Sequence, residues 1–127
     1  MKNVVVLGST GSIGTSTCKV AEDLPGQIRL IGLGAGRNAE LLAEQATAFQ
    51  PQAISINDSV AAAELAESFS GKTKIHSGEE GLIELATLAE ADIVLIAIVG
   101  TAGLTPALAA IRAGKDIAVA SKEILVM

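Results

Sequence analysis

Short apolar runs recur along the chain, with amphipathic stretches between them. The runs at 3–7, 28–33, 53–56, 73–75, 93–98 and 116–120 have the length of strands, and most are apolar throughout rather than alternating. Continuous apolar character suits strands covered on both faces; the short run at 73–75 is the exception. The stretches at 12–24, 39–50, 60–69, 79–89 and 104–113 carry helical spacing. Asn38 and Asp58 stand where N-caps belong, and Gly71 and Gly114 stand where helices end on glycine. Strand and helix alternate six strands deep. That pattern predicts right-handed crossovers and an α/β fold, a doubly wound parallel sheet.

Composition narrows the picture without changing it. The 127 residues fit one domain with a core of useful size. Half the residues are hydrophobic, with two Phe and no Tyr or Trp, so the core is expected to be aliphatic. Nine Lys and Arg against fourteen Asp and Glu give a net charge of −5, which disfavours a nucleic-acid partner. No apolar run reaches the roughly 18 residues of a membrane span, and the start of the chain has no signal-peptide pattern. A single cysteine, Cys18, has no partner for an intramolecular disulfide and reads as a small hydrophobe on a helix face. A cytoplasmic location is expected. The last residues, Glu123-Ile124-Leu125-Val126-Met127, are apolar and uncapped, which is expected of a chain that continues into a further segment covering them.

The candidate chemistry begins at the first strand-to-helix junction, Gly8-Ser9-Thr10-Gly11-Ser12-Ile13-Gly14. Glycines three apart allow a sharp turn, a close backbone approach to a pyrophosphate and tight helix packing. The backbone N–H groups from Thr10 to Ile13 then face the phosphates. No Lys-Ser/Thr pair follows, which excludes a P-loop. After the second strand, Gly36-Arg37-Asn38 offers an arginine where an NAD site would place an acid. A guanidinium matches a 2′-phosphate, so NADP(H) is the expected cofactor; the bland alternative is a solvated loop cation. The loop Thr101-Ala102-Gly103 is expected on the same rim. Ser121-Lys122-Glu123 follows the last strand and admits two readings: polar groups lining the site, or a helix start capped by Ser121 with Glu123 favouring the dipole. His76 reads as an ordinary surface or half-buried residue. No His, Cys or carboxylate cluster has metal-ligand spacing.

These segments together resemble the 1-deoxy-D-xylulose 5-phosphate reductoisomerase family. The resemblance covers the whole chain. It rests on Leu7-Gly8-Ser9-Thr10-Gly11-Ser12-Ile13-Gly14, on Ala35-Gly36-Arg37-Asn38, and on Ala97-Ile98-Val99-Gly100 followed by Ala102-Gly103-Leu104. It continues through Ala109-Ala110-Ile111-Arg112-Ala113-Gly114-Lys115 to Ala120-Ser121-Lys122-Glu123.

The resemblance implies an N-terminal NADPH-binding domain with Thr10, Gly11, Ser12 and Ile13 at the pyrophosphate and Gly36, Arg37 and Asn38 at the adenosine phosphate. It implies Ser121 and Glu123 on the nicotinamide side and Lys122 at the sugar phosphate substrate. Arg37 stands where the family often has Lys, which keeps the charge. Ser121 stands where Asn is usual, a shorter side chain with less reach. A divalent cation (Mg, Mn or Co) is expected to be held by residues beyond Met127, so this chain by itself is expected to be inactive. A homodimer is expected of the whole enzyme, in the cytoplasm, or in a plastid for a plant-type source. Two rival readings are another NADP-dependent reductase domain with a similar loop, and a non-catalytic domain that senses NAD(P).

Overall fold

A computed structural model describes residues 2–68, 72–98 and 103–119. The elements run β1 (Lys2–Leu7), α1 (Ser12–Asp23), β2 (Ile28–Ala35), α2 (Ala39–Phe49), β3 (Ala53–Ile56), α3 (Ser59–Ser68), β4 (Lys74–Ser77), α4 (Gly78–Ala86), β5 (Ile93–Ile96), α5 (Leu104–Arg112) and β6 (Asp116–Val119). The strands pair in parallel in the order β4-β3-β2-β1-β5-β6. The chain therefore builds outward from β1 to β4, then crosses back to β5 on the other side of β1. The topological switch point lies between β1 and β5, where ligands of open α/β sheets bind beyond the carboxyl ends of the strands.

Right-handed crossovers running in opposite directions place their helices on opposite faces. On one face Cys18 and Ala21 of α1, Leu42 and Ala46 of α2 and Leu65 of α3 pack on Val4, Val6, Leu33 and Ile54. On the other, Leu85 and Ala86 of α4 and Ala107 and Ala110 of α5 pack on Val5, Leu7, Val94 and Ile96. Alternate residues of β1 thus enter two cores, which explains why its sequence is apolar throughout. The outer strands differ. In β5 the buried residues Val94 and Ile96 alternate with half-buried Ile93 and Leu95, and β6 is buried nowhere along its length.

Local signals explain several helix ends. Asn38 caps α2 by accepting from Leu41 N–H at 3.1 Å, and Asp58 Oδ1 accepts from Val60 N–H at 3.1 Å at the start of α3. Gly114 follows α5 with φ +78, the left-handed geometry expected there; Gly71 lies outside the described residues. Helix α4 stops three residues before the expected end at Ala89, where the Thr87 hydroxyl donates back to the Ile83 carbonyl at 2.8 Å. The strand expected at 73–75 forms later, as Lys74–Ser77, with its register set by pairing of Ile54 with Ile75 and Ser55 with His76. His76 therefore belongs to β4 and is half-buried.

Candidate dinucleotide site at the switch point

At the end of β1 the chain turns on Gly8, whose φ is +99. A Cβ there would stand 2.5 Å from the Ala97 carbonyl oxygen at the end of β5. The N–H groups of Gly8 and Ser9 both donate to the Gly34 carbonyl, at 2.7 and 2.9 Å, tying the loop to β2. Helix α1 descends directly onto this loop, because a Cβ on Gly14 would overlap the Gly8 carbonyl oxygen and the Ser9 backbone. Gly11 occupies the N-cap position, with no side chain bonded to the open end and no acidic residue in the first turn. Among the described residues the N–H groups of Thr10, Ser12 and Ile13 have no acceptor. Free N–H groups at the positive end of a helix dipole, with no carboxylate competing for them, form an anion cradle.

The cradle opens on a cavity of about 440 Å³. Thr10, Gly11, Gly36, Arg37 and Asn38 all line it, so the structure brings these predicted residues together. Among the described residues Arg37 is the one charged residue on the wall, and no carboxylate lines it. Its side chain is exposed and makes no hydrogen bond among the described residues, which leaves the guanidinium available. Asn38 divides its work: Oδ1 caps α2, and Nδ2 has no acceptor among the described residues. Ser12 and Ile13 are exposed and do not line the cavity, so they offer backbone N–H groups rather than side chains.

Ala97 and Ile98 from the β5 end form the opposite wall, with Ser55, Ile56 and Asn57 from the β3 end and Gly78 and Leu82 from α4. None of these β3 and α4 residues carries a local motif that announces a binding site. Gly103 is buried at the start of α5. Thr101, Ala102, Ser121, Lys122 and Glu123 lie outside the described residues. His76 does not line the cavity. Cys18 is buried in the α1 face, where burial, with the Glu22 carboxylate adding to it, pushes the thiol up to about 11; it is no nucleophile at neutral pH. No group of three or more His, Cys, Asp or Glu among the described residues is placed to hold a metal ion, and no helix among them is long and apolar enough to cross a membrane.

A parallel sheet that turns on glycine into a helix with free N-terminal amides, at the switch point, defines the Rossmann-like class of dinucleotide-binding domains. The model for 1-deoxy-D-xylulose 5-phosphate reductoisomerase matches residues 4–127, and the chain belongs to that family. It is 50% identical over 127 residues to the 1-deoxy-D-xylulose 5-phosphate reductoisomerase of Geobacter metallireducens, covering 99% of this chain and 33% of the relative. The Synechococcus enzyme of the same name is 47% identical, with 99% of this chain and 32% of the relative covered.

Among solved structures, DOX-P reductoisomerase in complex with NADPH, fosmidomycin and magnesium superimposes with a TM-score of 0.95 at 39% identity, covering all of this chain and 32% of the other. The Zymomonas mobilis enzyme in complex with NADPH gives 0.91 at 39% identity, covering 98% of this chain and 33% of the other. The chain thus spans about a third of the length of these relatives. Family membership disfavours both rival readings, a different NADP reductase and a non-catalytic sensor.

Proposed function

We propose that this chain is the NADPH-binding part of a 1-deoxy-D-xylulose 5-phosphate reductoisomerase. The observation that carries the proposal is a cavity lined by Thr10, Gly11 and Arg37, with the free Ser12 and Ile13 amides beside it in the same loop and no carboxylate on its wall among the described residues. Those groups match the two anionic parts of NADPH. The amides of Thr10, Ser12 and Ile13, with Gly11 allowing close approach, would hold the pyrophosphate. Gly36, Arg37 and the free Nδ2 of Asn38 would hold the 2′-phosphate, and an acid at the end of β2 would repel it.

Bound NADPH would supply the hydride that reduces the rearranged aldehyde to 2-C-methyl-D-erythritol 4-phosphate, a step of non-mevalonate isoprenoid synthesis. Ser121 and Glu123 would border the nicotinamide, and Lys122 would bind the phosphate of the sugar substrate. The described residues do not fit a divalent cation. Magnesium, manganese or cobalt would be held elsewhere in a longer enzyme, and these 127 residues alone would not turn over substrate. A cytoplasmic homodimer, or a plastid one for a plant-type source, is part of the same proposal.

Steady-state kinetics of the full-length enzyme test the reading. Lys122→Ala should lower kcat/KM for the sugar phosphate by about tenfold or more, the loss expected for one charged hydrogen bond, and leave NADPH affinity nearly unchanged. Absence of NADPH-dependent turnover in the unaltered full-length enzyme would refute the assignment; unchanged kinetics in the variant would remove Lys122 from the site.

A further inference from the structure

Helix α2 carries a polar side chain on its buried stripe. Leu42, Gln45 and Ala46 share the face turned inward, and Gln45 is 6% exposed. Its Nε2 donates to the Ser9 carbonyl at 2.8 Å, across 36 positions of sequence. Gln45 does not line the 440 Å³ cavity and so meets the loop from behind. Packing does not account for it. The Gln45 Oε1 is buried without a hydrogen-bond partner among the described residues, a desolvation cost carried by the side chain whose Nε2 reaches Ser9.

What the amide does is hold a peptide plane. The Ser9 N–H donates to the Gly34 carbonyl at 2.9 Å and its C=O accepts from Gln45, so the residue is pinned at both ends. In a trans peptide the C=O and the following N–H point in opposite directions. With the Ser9 carbonyl held toward α2, the Thr10 N–H is turned the other way, to the side of the loop where Thr10 lines the cavity. A hydrogen bond at the carbonyl also polarises the same peptide and strengthens that N–H as a donor.

We propose that Gln45 is a positioning residue for phosphate recognition: it sets the Ser9–Thr10 peptide so that the Thr10 N–H donates to the cofactor pyrophosphate. This rests on the NADPH reading above. The test is calorimetric titration of the full-length enzyme with NADPH and with adenosine 2′-monophosphate, which keeps the phosphate that Arg37 would meet and lacks the pyrophosphate. Gln45→Met keeps most of the volume and removes the donor. The NADPH Kd should rise about tenfold, the adenosine 2′-monophosphate Kd should stay the same, and the protein should stay folded with a modestly lower Tm, because the Ser9 carbonyl loses its donor. Unchanged NADPH affinity, or equal weakening of both ligands, would overturn the positioning role. Gln45→Glu, which presents no donor when ionised, provides the same readout if the Met variant does not fold. Failure of the unaltered enzyme to bind NADPH would instead overturn the cofactor reading, and is distinguishable because it precedes any substitution.

Discussion

Gly8 and Ala97 bring the ends of β1 and β5 into backbone contact: a Cβ on Gly8 would lie 2.5 Å from the Ala97 carbonyl oxygen, at a φ of +99 that L residues rarely adopt. Neither backbone segment has freedom to yield, since Ala97 N–H also donates to Leu7 O at 2.8 Å. Gly8→Ala is expected to destabilise by roughly 2–4 kcal/mol, combining left-handed strain with overpacking. Gly26, with nothing within 4 Å of an added Cβ, is the control; Gly26→Ala should change stability by no more than about 1 kcal/mol. Urea melts of the two variants decide the matter, and equal effects would contradict it.

Ser55 and Gly81 make a second fitted pair. A Cβ on Gly81 would overlap the Ser55 hydroxyl, which is itself buried without a partner among the described residues. Gly81→Ala should therefore cost about 1–3 kcal/mol through overpacking, although the same change in an open helix would stabilise. Ser55→Ala removes an unsatisfied polar atom and should leave stability equal or raised by about 1 kcal/mol. In the double variant the cost of Gly81→Ala should shrink by at least about 0.5 kcal/mol. Strict additivity in the melts would show that the hydroxyl is not what Gly81 accommodates.

Cys18 predicts a pH dependence. Its thiol is raised from 9.0 to about 11 by burial, with Glu22 adding to the effect. Between those values the unfolded chain loses the thiol proton and the folded chain keeps it, so the native state binds more protons and stability falls as pH rises. Below pH 9 the contribution is fully present. Thermal melts from pH 8 to 11 should show a steeper decline in the unaltered protein than in Cys18→Ala. Parallel curves would place the thiol in a better-solvated setting.

The fold was legible because its signals are local and repeated. Val4 to Leu7 are apolar at successive positions, which a strand buried on both faces requires, and Asn38, Asp58 and Gly114 mark their helix ends by short-range chemistry. The glycine turn into α1 was legible for the same reason: Gly8, Gly11 and Gly14 are close in sequence and lie at a first strand-to-helix junction. The far wall was not. Ser55 and Asn57 reach the cavity through the pairing of Gly34 with Ser55, and Leu82 reaches it through packing of α4 across β2. Long-range pairing of that kind leaves no local pattern. Gln45 did leave a trace, a glutamine three residues after Leu42 on the buried stripe, but its partner Ser9 lies 36 residues away. Ser121, Lys122 and Glu123 lie outside the described residues, and their two readings are separated by kinetics rather than by geometry.

Arg37 is the one charged residue on the cavity wall among the described residues. Calorimetric titration of the unaltered protein and of Arg37→Asp with NADPH and NADH measures what that guanidinium does. A charge-assisted contact of about 1.5–3 kcal/mol corresponds to a preference for NADPH of roughly ten- to a hundredfold. That preference is expected in the unaltered protein, and its loss or inversion in Arg37→Asp. Equal affinity for NADPH and NADH in the unaltered protein would contradict it.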